Sequence, residues 1–342
     1  MVTIKEIARE LGLSTTTVSN VIHGKSWEVS PATVRRVEEA LDRCGYVPNI
    51  VARNLAQKES RIVGVALKAS PEKSGNLIKD PFFSAVIGAI ERQIRLAGYY
   101  MMLYISENTD EIIRQASSWN VDGLIVVGLV DDDGRWVEER FKKPVVCVDN
   151  CSEEGLRHFV NIGLEDEQGG YLAAQHLTEL GHRKIAFLTN VLGAVELARL
   201  RGFCRALSEA GIEYQEKDCL MINIFHDQVD ASLNEVCGRL EDYTAVFCVS
   251  DLFAVGLMAA LSDRGVRVPE DISVVGFDDI FLGRVHRPSL TTVHQDVEEK
   301  GAEAVRALIA MLQGEEVASR DIRLPVRLEV RQSTGAPSGG KA

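Results

Sequence analysis

The sequence predicts a small all-α head followed by an α/β body of parallel sheets folded into two lobes. Three observations carry that expectation. The first sixty residues hold three short apolar-periodic patterns with helix caps and turn glycines. From residue 61 onward, short apolar runs alternate with amphipathic stretches, the pattern of strands covered on both faces by helices. Length agrees, since 342 residues at ~100–200 per domain suit two or three domains. Hydrophobic residues make up 46% and charged residues 26%, which excludes a disordered, collagen-like or disulfide-scaffold chain.

The head opens with Ile4, Ile7, Ala8 and Leu11 at helical spacing, which makes one apolar stripe. Thr3 is placed to cap this helix, with Glu6 completing a capping box. Gly12 interrupts it. Ser14 then caps a second helix whose apolar face is Val18, Val21 and Ile22. Ser30 and Pro31 start a third, with Val34, Val37 and Leu41 facing inward and Gly45 as the stop. Two short helices about a glycine turn form a helix-turn-helix layout. The outer face of the second helix carries Thr15, Thr16, Ser19 and Asn20. Short uncharged donors and acceptors suit base edges in a major groove, and Asn can bond adenine in two places. A solvated polar face is the other use of such residues.

Charge is unevenly spread. Residues 1–61 carry 9 Lys/Arg against 7 Asp/Glu, or +2, although the whole chain carries −12. A mildly basic head on an acidic body fits a small polyanion-binding module on a larger domain, with chance as the alternative. No apolar stretch approaches the ~18 residues that a bilayer requires. The polar, periodic N-terminus does not read as a signal peptide. Seven cysteines (Cys44, Cys147, Cys151, Cys204, Cys219, Cys237 and Cys248) contain no Cys-x-x-Cys pair and read as scattered reduced thiols. The expectation is a cytoplasmic chain with no metal, no cofactor and no membrane contact.

In the body, runs at 62–67, 99–105, 124–127 and 145–148 read as one set of buried strands, and 185–188, 245–249 and 273–277 as another. Helical patterns fill the gaps at 82–96, 168–180, 195–210, 252–264 and 297–312. So many units exceed one small sheet, hence two lobes joined by crossovers. Ligands of parallel sheets sit beyond the carboxyl ends of the strands. Asp149 and Asp278 occupy such ends, Ser250 and Asp251 follow another, and Arg199 lies on the helix after the 185–188 strand. Two carboxylates, a guanidinium and small polar groups can hold the hydroxyls of a sugar or similar metabolite. Helix capping or structural ion pairing is the competing account, and the preferred one for Asp251 and Asp279.

The head resembles the LacI/GalR repressors in Thr3-Ile4-Lys5-Glu6-Ile7-Ala8, Ser14-Thr15-Thr16-Thr17-Val18-Ser19-Asn20-Val21-Ile22 and Gly45-Tyr46-Val47-Pro48-Asn49, and the likeness continues through Val51-Ala52-Arg53-Asn54-Leu55. The resemblance implies that the second helix reads an operator's major groove. It also implies a hinge helix after Pro48-Asn49 that reads the minor groove, with Leu55 wedged between base pairs. DNA contacts are then expected from Thr3, Ser14, Thr15, Thr16, Thr17, Ser19, Asn20, His23, Asn49, Ala52, Arg53 and Leu55. The body is implied to be a type I periplasmic-binding-protein-like fold, with Asp149, Arg199 and Asp278 at effector-contact positions and Phe82, Phe83 and Phe225 as rings against the effector. Core packing accounts for Phe83 equally well. The segment 68–79 is longer and more polar than is usual in the family. Gly193 and Val195 stand where purine-responsive members place polar contacts, which counts against a purine. No heptad extension follows residue 334, so no tetramerising coiled coil is expected.

The domain expectation is therefore a helix-turn-helix domain at 1–47, a hinge helix and linker at 48–60, a two-lobed effector-binding and dimerisation domain at 61–334 and a flexible tail at 335–342. An enzyme lacks support, because no Gly-x-Gly-x-x-Gly follows the first strand, no P-loop appears and the histidines do not cluster. His182, after Gly181, reads as a helix-end cap. A secreted solute-binding protein would need a signal peptide in place of the head. A regulator governed by a protein partner, with a vestigial pocket, is a further alternative that ligand-induced thermal shifts would separate. The combined expectation is a homodimeric repressor that binds a pseudo-palindromic double-stranded operator under control of a small polar effector, a sugar or sugar derivative. Wedging an apolar side chain between base pairs costs a few kcal/mol of unstacking, recovered through the bent DNA's contacts. Leu55→Ala should accordingly weaken operator binding and reduce DNA bending while leaving folding intact; gel-shift and bending assays that match wild type would remove the wedge.

Overall fold

The computed structural model describes residues 2–22, 26–46, 59–69, 77–129, 133–149, 159–223 and 229–338. His23, Asn49, Ala52, Arg53, Leu55, Phe225 and Cys151 lie outside the described residues, as do most of the expected hinge and most of 68–79. The chain divides into two compact units, Met1–Ser60 and Arg61–Ala342.

The first unit holds helices Ile4–Leu11, Thr15–Ile22 and Pro31–Arg43, with a short 3-10 turn at Ser26–Glu28. Its caps are those the sequence encodes. Thr3 Oγ1 accepts from the Glu6 backbone N–H while the Glu6 carboxylate accepts from the Thr3 N–H. Ser14 Oγ accepts from the Thr17 N–H at 3.0 Å, and Ser30 Oγ from that of Thr33. Gly12 ends the first helix at φ 65°, a left-handed conformation that glycine adopts without a Cβ penalty. Ile7, Ala8, Val18, Val37 and Ala40 form the buried core, with Ile4, Leu11 and Leu41 packed against it.

The second unit contains two six-stranded sheets built from β1 (Ile62–Lys68), β2 (Tyr100–Ser106), β3 (Gly123–Val127), β4 (Val145–Val148), β5 (Phe159–Leu164), β6 (Ile185–Thr189), β7 (Cys219–Met221), β8 (Ala245–Cys248), β9 (Ser273–Asp278), β10 (Thr291–His294), β11 (Asp321–Leu324) and β12 (Arg327–Glu329). The first lobe has the order β11-β5-β4-β3-β1-β2, with every pairing parallel. The second has the order β12-β10-β9-β8-β6-β7, parallel except that β12 runs against β10. The chain passes between lobes three times. After β5 it enters helix Asp166–Glu179, which packs in the second lobe. After β10 it returns through helix Val297–Leu312, which packs on β3, β4 and β5, and between β11 and β12 it crosses once more. Both faces of the central strands are covered, so β3, β4, β5, β8 and β9 are buried throughout. Among the described residues no helix is long and apolar enough to cross a membrane.

Two expectations need correction. The tail was expected to be flexible from residue 335, yet its first residues are bonded into the second lobe: the Gly335 N–H donates to Ser273 Oγ at 3.0 Å, and Ser338 Oγ donates to the Glu270 carbonyl. Buried polar groups need partners, and these backbone groups supply them. His182 does not cap a helix through its side chain. Its buried ring meets Thr244 Oγ1 at 2.9 Å through Nδ1, and Ser273 Oγ and the Gly335 carbonyl through Nε2.

Helices Asp166–Glu179 and Ala194–Glu209 lie in close contact because glycine occupies the crossing on both. A Cβ at Gly170 would fall 1.9 Å from the Arg199 carbonyl oxygen, and one at Gly202 would fall 1.7 Å from that of Glu167. Both obstacles are backbone and cannot swing away. Gly202→Ala should therefore destabilise the body by about 3 kcal/mol or more, toward the upper end of overpacking effects. Urea unfolding checks this; an unchanged midpoint means that the helices can separate freely.

Candidate functional site

On the second helix of the head, Thr15 and Thr16 are exposed, whereas Thr17, Ser19 and Asn20 are half-buried. The hydroxyls of Ser14 and Thr17 bond each other at 2.9 Å at the helix start. Asn20 Nδ2 donates to Glu28 Oε2 at 2.7 Å, so this amide is held by the turn rather than presented freely. Thr3, exposed, is engaged in its capping box. Thr15 and Thr16 are thus the side chains the fold leaves outward.

In the body, the strand carboxyl ends converge on a polar cluster between the lobes. Three aspartates there adopt left-handed backbone: Asp149 (φ 57°), Asp278 (φ 117°) and Asp279 (φ 59°). Such conformations in non-glycine residues cost of order 1–3 kcal/mol and gather at functional sites. Asp149, after β4, accepts from Lys300 Nζ at 2.7 and 2.8 Å. Lys300 is fully buried on helix Val297–Leu312, and its ammonium lies 5.3 Å from the centroid of the Phe82 ring. Phe82 and Phe83, both half-buried, meet edge to face at 5.6 Å on the first turn of helix Pro81–Leu96.

From the second lobe, Arg199 donates through Nε to Asp166 Oδ1 at 2.9 Å and through Nη1 to the Val249 carbonyl at 2.5 Å. Its guanidinium stacks 3.5 Å from the Phe277 ring centroid. Nε and Nη1 of this guanidinium are therefore engaged by the protein itself. Asp278, the last residue of β9, accepts from Gln295 Nε2 at 2.6 Å, and Gln295 Oε1 is buried with no hydrogen-bond partner among the described residues. Ser250 caps helix Asp251–Asp263, accepting from the Phe253 N–H. Asp251 and Asp279 serve the fold: Asp251 accepts from Thr292 Oγ1 and the Ile280 N–H, and Asp279 from Arg284, Arg331 and His294.

Sequence reasoning missed Asp166, Gln295 and Lys300. A signal existed for two of them. Lys300 falls on the apolar stripe of its helix, three residues after Val297 and four before Ala304, where a solvated lysine has no place. Asp166 likewise precedes Gly169, Gly170, Ala173 and Ala174 on a buried face.

Burial pushes the Asp278 carboxyl from its ordinary 3.8 up to about 7, against the opposing pull of Arg199. Burial also raises Asp251, reinforced by the neighbouring Asp278 carboxylate. The folded state favours protonated Asp278, so the stability it contributes is present below about pH 4 and lost as pH rises through about 7. Replacing it by the neutral isostere removes that loss. The stability of Asp278→Asn relative to wild type should rise between about pH 4 and 7, on the order of 1 kcal/mol per pH unit, and level off above. Denaturant midpoints across this range test it, and a pH-independent difference is the contrary result.

Known proteins match both units. Residues 3–49 match the model described as bacterial regulatory proteins, lacI family, and residues 174–334 the periplasmic binding protein-like domain. The HTH-type transcriptional repressor PurR of Vibrio atlanticus (strain LGP32) is 36% identical over 94% of this chain and 95% of its own. The lac repressor dimer bound to operator and the anti-inducer ONPF superposes with a TM-score of 0.85, at 28% identity over 98% of this chain and 99% of that one. A CelR–cellobiose complex, a transcriptional regulator, superposes with a TM-score of 0.71 at 29% identity over 97% and 100%. The chain belongs to the LacI family of bacterial regulatory proteins and is a DNA-binding transcriptional repressor, not an enzyme.

Proposed function

We propose that this repressor acts in the cytoplasm as a homodimer on a pseudo-palindromic operator, and that a sugar or sugar derivative bound between its two lobes sets its operator affinity. The observation that carries the reading is the interlobe cluster. Arg199 keeps its Nη2 edge for a ligand oxygen, Asp278 and the unpartnered Gln295 Oε1 accept from hydroxyls, and the half-buried Phe82 ring borders the cluster beside Lys300. Alternating acceptors and donors beside an aromatic ring suit a polyol. The similarity to a cellobiose complex supports the class. Because the cluster draws on both lobes, a ligand with greater affinity for the closed arrangement biases lobe closure. That bias reaches DNA through the hinge expected at 48–60, as a coupling between two sites. In the head, Thr15 and Thr16 face outward to read bases, while Ser14, Thr17 and Asn20 shape the helix that carries them; Ser19 and the minor-groove set Asn49, Ala52, Arg53 and Leu55 complete the interface.

Two measurements test this. Selection from random DNA should return a symmetric site, since paired heads mirror a two-fold axis. Thr16→Ala should shift base preference at one position of each half-site by ~1–3 kcal/mol; an unchanged preference removes Thr16 from the readout. For the effector, a thermal-shift panel of sugars identifies the ligand, and operator binding is then compared with and without it. Arg199→Ala should abolish the response, leaving permanent binding if the ligand is an inducer and none if it is a corepressor. Arg199→Lys retains a charge for Asp166 and controls for unfolding, yet loses the fork geometry and should respond weakly. Wild-type sensitivity in both variants is the result against the site.

A further inference from the structure

The two cations of the interlobe cluster are not alike. Arg199 is 7% exposed and divides its hydrogen bonds between Asp166 and the Val249 carbonyl, but Lys300 is fully buried, and both of its hydrogen bonds go to the two oxygens of Asp149. The Phe82 ring flanks the same ammonium at 5.3 Å. Asp149 keeps 17% of its side chain exposed while the lysine that holds it has none. A buried carboxylate with no counter-charge is a strong site for a cationic group, and pairing with a fixed internal ammonium removes that attraction. The charges around the cleft are closed off in this way twice, by Lys300 with Asp149 and by Arg199 with Asp166.

We propose that Lys300 is a specificity-determining residue of the effector site: its buried ammonium neutralises Asp149, which would otherwise attract a cationic ligand group, so the site selects an uncharged, hydroxyl-bearing effector and rejects its amine counterpart. The inference rests on the effector site proposed above. Lys300 acts through Asp149 and is a positioning residue that touches no ligand. An amine-bearing sugar entering the wild-type cleft brings a second positive charge beside an already neutralised carboxylate. A neutral sugar brings only hydroxyls, for which Asp149 retains lone pairs at its open edge.

The test is direct binding of matched pairs, D-glucose with D-glucosamine and D-galactose with D-galactosamine, together with cellobiose and D-ribose, to wild type, Lys300→Met and Lys300→Arg. Wild type and Lys300→Arg should bind the neutral member at least ten-fold more tightly. Lys300→Met, which keeps the length and apolar packing of the stem, should invert the preference by a comparable factor. A role confined to stability would lower the melting temperature of Lys300→Met without reordering the ligands, and an unchanged order overturns the proposal. If no sugar binds any of the three proteins, the sugar reading fails, and Lys300 is then judged by chemical rescue. Ethylammonium chloride should raise the melting temperature of Lys300→Ala relative to equal sodium chloride and leave wild type unmoved. Absence of that selective rescue overturns the proposal independently.

Discussion

Charge taken out of water must meet its opposite inside the protein, and the cleft between the lobes is organised by that requirement. An isolated buried ion carries a penalty of several kcal/mol, whereas a well-bonded pair offsets much of it. Arg199 reaches Asp166 only because their two helices touch, and they touch only because Gly170 and Gly202 leave room for each other's backbone. The same guanidinium rests on Phe277, which ties it to β9 and so to Asp278. Lys300 plays the corresponding part in the first lobe, binding helix Val297–Leu312 to the end of β4. Each pair is thus also a brace within its own lobe. In the function proposed above, these two braced lobes are the bodies across which the effector would act.

Much of this fold was legible from apolar periodicity, because strands covered on both faces are continuous apolar runs. Apolar periodicity alone places helix Val297–Leu312 at its observed bounds and seven strands within a residue or two of theirs. The strands that escaped share a physical cause. In β5, Asn161 breaks the apolar run, yet it is fully buried because its amide donates to Asp321 on β11. The strand β10 reads Thr-Thr-Val-His, with hydroxyls buried against Asp251 and the Ser333–Thr334 segment. The edge strands β7, β11 and β12 are three or four residues long and carry little pattern at all. A polar residue inside a sheet is betrayed only by its partner, and the partner is remote in sequence.

The site shows the same division. Strand ends point to Asp149 and Asp278, the family likeness points to these two and to Arg199, and the structure brings the three into one cluster. What could not be found was which of them the protein keeps for itself. Asp149 is engaged by Lys300, a residue 151 positions away, and Asp278 by Gln295. In the head, Asn20 looked like a base reader by residue type, but the turn that delivers Glu28 to its amide is not written in helical spacing.

The threefold passage of the chain between lobes has a consequence for how the molecule comes into being. Neither lobe is contiguous. The first lobe lacks its cover until helix Val297–Leu312 exists and lacks its outer strand until β11 exists, while the second awaits β12. During synthesis the two halves therefore remain open together, with β5 and β10 exposing unpaired edges until β11 and β12 have emerged. Such edges are where nascent chains adhere to one another. What looks like two modules is, in time, one object: its halves are finished by the same short stretch of chain, β11 and β12, and the cleft between them closes into being at the moment the lobes themselves do.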